Sequence, residues 1–505
     1  MQWLNKLVDE VVKAVPDGEV LVESGSSPSG TYHLGHLREI ITCDAIVIEL
    51  KRRGRQARHV SYIDDLDGLR KIPANVSQDF DKYLGRPLCD IPAPAGSGSY
   101  AEYFLKGLRD AAKALAIDAE FIRSHKKYRT GFMIPAIEKS VERLESARKA
   151  LAKISGRELD DSWSPVQIME DGYLKKRRFL DIDTSAKKLT YEDKNGAAQE
   201  ISYAKGDVKL DWRLDWPGRW WLLDVNVEPF GRDHASAGGS YETGVQIMKD
   251  VYQSRPPMPV PYDFVNLAGD TKKMSASKGT GLEALGVVKI LPAEIVRYFM
   301  LRFPPSKRLY FDPEKGVAPL IDDFAALLAK DKKTAEDDQL IAVCTSSLDV
   351  TVSRISFTHL VASYQAALKD PARTLEVISR TDKLDAAAKK IIDAQLKFID
   401  QWLKNWAPDD IKFELSAKPP KVISEPEREF LSALARKIEK APKAADGEWF
   451  HKAIYEFKDS TSLAPKQLFG TLYKVLIDRE HGPRAGWFLS ILPRDFLIKR
   501  LRLEA

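Results

Sequence analysis

Cysteine is nearly missing from this chain. Three occur in 505 residues, Cys43, Cys89 and Cys344, and no Cys-x-x-Cys is among them. That excludes a disulfide framework and leaves a zinc ribbon without ligands. Long apolar runs are missing too, so no transmembrane helix is expected. The opening residues, Met-Gln-Trp-Leu-Asn-Lys-Leu-Val-Asp-Glu, place acids early and lack the apolar core of a secretory signal. A cytoplasmic protein is the expectation. An excess of one charge sign is also absent: 78 Lys and Arg face 73 Asp and Glu, for a net charge of +5. This excludes a purely electrostatic nucleic-acid binder, although clustered basic residues could still hold one. There is no internal repeat and no long low-complexity tract.

What is present is an ordinary soluble composition, 44% hydrophobic and 30% charged, in a chain long enough for two to four domains. Residues 24 to 39 read Ser-Gly-Ser-Ser-Pro-Ser-Gly-Thr-Tyr-His-Leu-Gly-His-Leu-Arg-Glu. An apolar run at Val20 precedes them. Leu37, Ile40, Ile41, Ala45 and Ile48 then mark one helical face. The segment reads strand, Gly/Ser/Pro loop, helix, with His33 and His36 at the helix start. A helix N-terminus offers free N–H groups and partial positive charge to phosphate. Two imidazoles there can donate to an oxyanion developing on phosphorus. Alone, His-x-Gly-His fits two polar residues beside a cap equally well.

A second strand, Ala57 to Ile63, ends in paired acids. Parallel sheets bind ligands at the carboxyl ends of their strands, which puts Asp64, Asp65 and Asp67 at the ligand edge. Residues 85 to 99 read as loop and 100 to 154 as helical. Residues 160 to 222 carry short alternating runs, the turn Lys194-Asn195-Gly196 and the tryptophans Trp212, Trp216, Trp220 and Trp221, and read as an inserted β-rich subdomain. The run from Trp221 to Gly231 returns to a buried-strand pattern, with Arg232, Asp233 and His234 after it. Beyond about Leu320 helical spacing takes over, as in 384–406 and 427–440.

Residues 272 to 280 read Lys-Lys-Met-Ser-Ala-Ser-Lys-Gly-Thr. Such a loop suits a polyphosphate, whose charge its lysines neutralise; a solvated lysine loop is the plainer reading of it alone. Paired with the histidine loop, it resembles the His-Ile-Gly-His and Lys-Met-Ser-Lys-Ser signatures of class I aminoacyl-tRNA synthetases. The stretches from Tyr62 to Pro73, Asp211 to Trp220, Glu228 to His234 and Gly238 to Gly244, with Glu480-His-Gly-Pro-Arg484, resemble the class I lysyl-tRNA synthetases. The likeness runs over nearly the whole chain. Two departures stand out. Ala276 replaces the usual second lysine, with Lys278 two residues on, and the inserted stretches lack the cysteine pairs of many relatives, so no structural zinc is expected.

The resemblance implies an α/β fold. A Rossmann-type parallel-sheet catalytic domain would span 1–255, with an inserted mixed subdomain at about 85–220. A connecting region carrying the lysine loop would cover 256–320, and an all-α anticodon-binding domain 321–505. It implies activation of L-lysine with ATP and Mg2+, release of pyrophosphate, and transfer of lysine to tRNA(Lys) by a monomer with no membrane partner. His33, Gly35, His36, Lys273, Ser275, Ser277 and Lys278 become the catalytic candidates. Pro28, Ser29, Gly30 and Met274 join them around ATP. Laying the Pro-Thr-Gly of glutamyl-tRNA synthetases over Pro28-Ser29-Gly30 puts their substrate-binding arginine at Glu23, where an acid would attract lysine's ammonium and repel glutamate. Gly25, Thr31, Asp64, Trp220 and His234 complete the expected lysine pocket. In the helical region Trp402, Trp406, Tyr473, Arg484 and Trp487 are candidates for RNA contact, with helix core as the plainer reading. A glutamyl-type synthetase and an inactive tRNA-binding paralogue remain the alternatives.

Overall fold

A computed structural model describes residues 1–156, 159, 163–269, 282–420 and 422–504. It divides into two compact units, residues 1–311 with 333–348, and residues 312–332 with 349–505. The first unit is built on five parallel strands: β1 (Val20–Ser26), β2 (Ala57–Ile63), β3 (Ala119–Arg123), β10 (Val227–Gly231) and β11 (Met258–Tyr262). Their order is β11-β10-β1-β2-β3. The chain starts at β1, builds outward through β2 and β3, and returns to the other side of β1 at β10. The helix Leu34–Arg52 follows β1, with Leu37, Ile40, Ile41 and Ala45 buried. Val20, Val22, Val60, Tyr62 and Ile63 are buried as well. A strand covered on both faces needs this near-continuous apolar character.

Two readings change here. The expected insertion at about 85–220 starts too early, because β3 lies within it and pairs with β2 from His59↔Ala119 to Ile63↔Arg123. This edge strand, Ala-Glu-Phe-Ile-Arg, is too short and polar to interrupt the helical pattern around it. The insertion proper follows β3. It holds one sheet of β4 (Val166–Glu170), β5 (Tyr173–Lys176) and β9 (Val208–Leu210), and another of β6 (Arg178–Asp183), β7 (Lys188–Glu192) and β8 (Ala198–Ser202). The Asn195-Gly196 turn joins β7 to β8, with Gly196 at φ +82° and the Asp193 carboxylate accepting from the Asn195 and Ala197 N–H groups. Val166, Ile168, Val208 and Leu210 share a buried cluster with Tyr62, Trp216 and Phe230, which ties the insertion to the catalytic core.

The tryptophan stretch is the second correction. It forms a helix, Trp212–Leu223, rather than the end of a β subdomain. Trp212, Trp216 and Trp220 recur every four residues, a helical spacing that Pro217 inside the segment obscures. A short parallel pair, β12 (Val265–Leu267) and β13 (Leu309–Phe311), closes the strand inventory of the described residues. The second unit is helical and buries its own core of Phe430, Leu434, Phe450, Leu472 and Phe488. Among the described residues no helix is long and apolar enough to cross a membrane.

Candidate active site

β1 and β10 lie side by side where the strand order reverses, and the crevice at their carboxyl ends is where open α/β sheets bind ligands. A cavity of about 550 Å3 opens there. Gly25 and Ser26 of β1, Ser29 of the loop, and His33, Gly35, His36 and Glu39 of the following helix line one side. Asp64 and Asp67 after β2, Trp212, Trp216 and Arg219, and Glu228, Asp233 and His234 around the end of β10 line the rest.

The two histidines build the helix start. His33 is the N-cap; its Nδ1 accepts from the Gly35 N–H at 3.1 Å, and the His36 Nδ1 accepts from the His33 N–H at 3.1 Å. A neutral imidazole whose Nδ1 accepts carries its proton on Nε2. Each ring therefore presents an Nε2–H donor. The rings sit 4.0 Å apart, tilted by 44°. Gly35 is required by this packing, since a Cβ there would lie 2.9 Å from the His33 Cε1.

The chain following the lysine signature is stitched to the same loop. The Leu34 N–H donates to the Leu282 carbonyl and the Ala284 N–H to the Tyr32 carbonyl, both at 2.9 Å. Lys273, Met274, Ser275, Ser277 and Lys278 themselves lie outside the described residues.

The cavity walls are acidic. Glu39, Asp64, Asp67, Glu228 and Asp233 face Arg70, Lys71 and Arg219 among the described lining residues. Glu39 accepts from the Gly25 N–H at 2.8 Å and from the Tyr262 hydroxyl at 2.5 Å. Burial pushes its carboxyl up to about 7, and the Tyr262 and Gly25 bonds pull the other way. On this wall Arg219 lies 2.8 Å from the Glu23 carboxylate, donates to Asp64 at 2.8 Å and stacks 4.4 Å over the Tyr62 ring. Burial raises the Glu23, Asp64 and Glu228 carboxyls, and Arg219 pulls each back. Glu23 is further raised by Asp64, and Glu228 by Glu23. The Trp216 indole N–H donates to Glu228 at 2.8 Å.

The structure thus brings Gly25, Ser29, His33, Gly35, His36, Asp64 and His234 to one cavity. It does not bring Glu23, Thr31, Trp220, Pro28 or Gly30 to its lining. Glu23 is 0% exposed, with its carboxyl 2.8 Å from the Arg219 guanidinium that stands on the lining. Trp220 continues the indole ladder inward, 4.6 Å from Trp216, and is buried against Gly244. Thr31 accepts from the Asn75 amide instead. Glu39, Arg219, Glu228 and Tyr262 escaped sequence reasoning. Glu39 had a local signal, lying three residues after His36 on the same helical face, and Arg219 and Glu228 lay within the stretches that carry the resemblance.

The family described as tRNA synthetases class I (K) matches this chain over residues 1–346. A lysine–tRNA ligase of Archaeoglobus fulgidus is 33% identical, the match covering 99% of this chain and 99% of that one. One from Methanosarcina barkeri (strain Fusaro) is 32% identical over 99% of this chain and 97% of its own. One from Pyrococcus horikoshii is 30% identical over the full length of both.

Proposed function

The chain belongs to the class I (K) tRNA synthetases, and from that premise we propose that the cavity at the ends of β1 and β10 is where it joins lysine to ATP. The enzyme's reaction is lysine–tRNA ligation. A carboxylate oxygen of lysine attacks the α-phosphorus of ATP, the bond to the β-phosphate oxygen breaks, and pyrophosphate leaves. A ribose hydroxyl of tRNA then attacks the lysyl carbonyl and AMP leaves.

The locked tautomer of the paired histidines carries this reading. Both Nδ1 atoms are occupied by backbone N–H groups, so both Nε2–H groups serve the α-phosphate oxygens as charge grows on them. No reorganisation is needed at the moment of reaction, because the rings are already fixed as a helix cap. Ser29 and Gly35 lie beside the same phosphates. The resemblance assigns Lys273, Ser275, Ser277 and Lys278, with Met274, to the leaving pyrophosphate. Magnesium comes with ATP as part of the substrate; among the described residues no group of three or more His, Cys, Asp or Glu could hold a metal.

The acidic wall supports lysine as the amino acid. Glu39, fixed by Tyr262 and Gly25, receives an ammonium group, and Asp64, Gly25 and His234 line the space around it. A glutamate side chain would meet carboxylates there and be repelled. We further read the enzyme as a cytoplasmic monomer that binds no membrane, which sedimentation and fractionation would check. ATP–pyrophosphate exchange, run with tRNA present, tests the whole assignment: lysine supports exchange and glutamate does not. Exchange with glutamate alone would overturn it.

A further inference from the structure

The inserted subdomain sends a charged side chain into the core. β9 runs Val208-Lys209-Leu210, and all three residues are buried. Val208 and Leu210 join the apolar cluster shared with the catalytic core. Lys209 alternates to the other face of the strand and is 1% exposed. An apolar residue would fill such a place at less cost, because a buried ammonium needs carboxylates around it. They are present. The Lys209 Nζ lies 2.6 Å from the Asp215 carboxylate and 3.1 Å from that of Asp67. Burial works against the Lys209 charge, but Asp215, Asp67 and Asp64 outweigh it and lift the ammonium above the usual lysine range.

The two acids differ in their surroundings. Asp215 is 0% exposed, on the helix Trp212–Leu223, one residue before the cavity-lining Trp216. It also accepts from the Tyr128 hydroxyl at 3.0 Å, and that hydroxyl accepts from the Leu210 N–H at 3.1 Å. Strand, helix and core thus fix the ammonium at one end. Asp67 stands on the cavity lining, which Lys209 itself does not reach. The second Asp67 oxygen meets Arg70 at 3.6 Å, and the Arg70 side chain is 77% exposed. Such a surface pair holds a carboxylate weakly. Arg219, buried on the same wall, is taken by Glu23 and Asp64. The firm hold on Asp67 comes from Lys209.

We propose that Lys209 is a positioning residue for the lysine site: from the inserted sheet it holds Asp67 on the acidic wall, where the carboxylate faces an ammonium of the amino acid. The proposal rests on the reading of this cavity as the lysine site. It gives the insertion a part in substrate binding although Lys209 touches no substrate.

Lysine-dependent ATP–pyrophosphate exchange, run with tRNA present on full-chain variants, separates this role from packing alone. Lys209→Met by itself leaves the Asp215 charge uncompensated in the core, so it is combined with Asp215→Asn, which removes both charges together. The combined variant, folded by its melting curve, raises KM for lysine about tenfold over Asp215→Asn alone, the loss of one hydrogen bond to a charged group. KM for ATP does not follow. Asp67→Asn gives the same rise for lysine. Adding Asp67→Asn to the combined variant raises KM no further, because Lys209 acts through Asp67. A combined variant with the lysine KM of Asp215→Asn would overturn the proposal. So would equal rises for lysine and ATP, or a further rise on adding Asp67→Asn. Glu39→Gln tells the two readings apart. If it leaves KM for lysine unchanged, the cavity reading falls and this proposal with it. If it raises KM while the combined variant does not, this proposal alone falls.

Discussion

His33 and His36 cap the helix Leu34–Arg52, and the proposed function gives each a second role as donor to the reacting phosphate. The two roles are separable. His33→Ala loses both, at about 1 kcal/mol of stability for the cap and about 10²–10³-fold in the rate of adenylate formation for the donor. His33→Asn can still cap, so its melting temperature stays near wild type while its rate falls like that of the alanine variant. A wild-type rate in His33→Asn would remove the donor role. Gly35→Ala forces the His33 ring aside and is expected to reduce adenylate formation without loss of lysine binding, which calorimetry would show.

Glu39 gives a prediction in pH. Burial raises its carboxyl from 4.5 to about 7, so it is neutral below that pH and charged above it. Lysine stays cationic throughout this window. Its KM is therefore expected to fall as pH rises through about 7, and Glu39→Gln should flatten the profile and raise KM for lysine far more than for ATP. The sign for stability is opposite. A raised acid favours the folded state below its unfolded value of 4.5 and loses that contribution as pH climbs through 7. The proposed lysine pocket was only partly legible in the sequence at this scale. His33 and His36 stood out because their spacing around Gly35 is local, whereas which acid reaches the cavity depended on contacts across the sheet, with Glu23 against Arg219 and Glu39 on the lining.

At the scale of elements, the helix Trp212–Leu223 forms one side of the cavity. One face carries Trp212, Trp216 and Arg219 to the lining, and its N-cap Asp211 accepts from the Arg213 N–H. Trp220 anchors it against the helix Ser240–Ile247, where a Cβ at Gly244 would lie 2.7 Å from the indole. Gly244→Ala should cost about 1–3 kcal/mol as the buried indole is displaced, read as a lower melting temperature; an unchanged melt would show that the indole relocates freely. This helix was misread from sequence because aromatic-rich, proline-containing segments also suit strands and turns. By contrast β1, β2 and the helix Leu34–Arg52 were legible, since their apolar periods are long and their boundaries are marked by Gly, Ser and Pro.

At the scale of the molecule, the first unit closes only with a later piece of chain. The helix Ala335–Thr345 belongs to it, and the Val343 carbonyl accepts from the buried Arg297 guanidinium at 2.6 and 2.9 Å. Arg297 also pairs with Asp44 and donates to the Leu115 carbonyl. A fragment ending at 311 leaves that charge underbonded, at a cost of about 1–3 kcal/mol. A fragment ending at 348 should melt measurably higher, and equal melting of the two would refute the role given to this helix.

Local periodicity and two short motifs determined the parallel-sheet start, the loop and helix cap at His33, the hairpin at Asn195-Gly196 and the helical second half, because each is written in residues close together in the chain. Tertiary structure decided what distance in sequence conceals. It joined the chain after the lysine signature to the His33 loop through Leu34 and Leu282. It sealed Glu23 behind Arg219 and left Glu39 on the cavity wall. Those choices depend on which buried charge meets which partner across the sheet, and burial multiplies the strength of such pairings far beyond anything a linear pattern records.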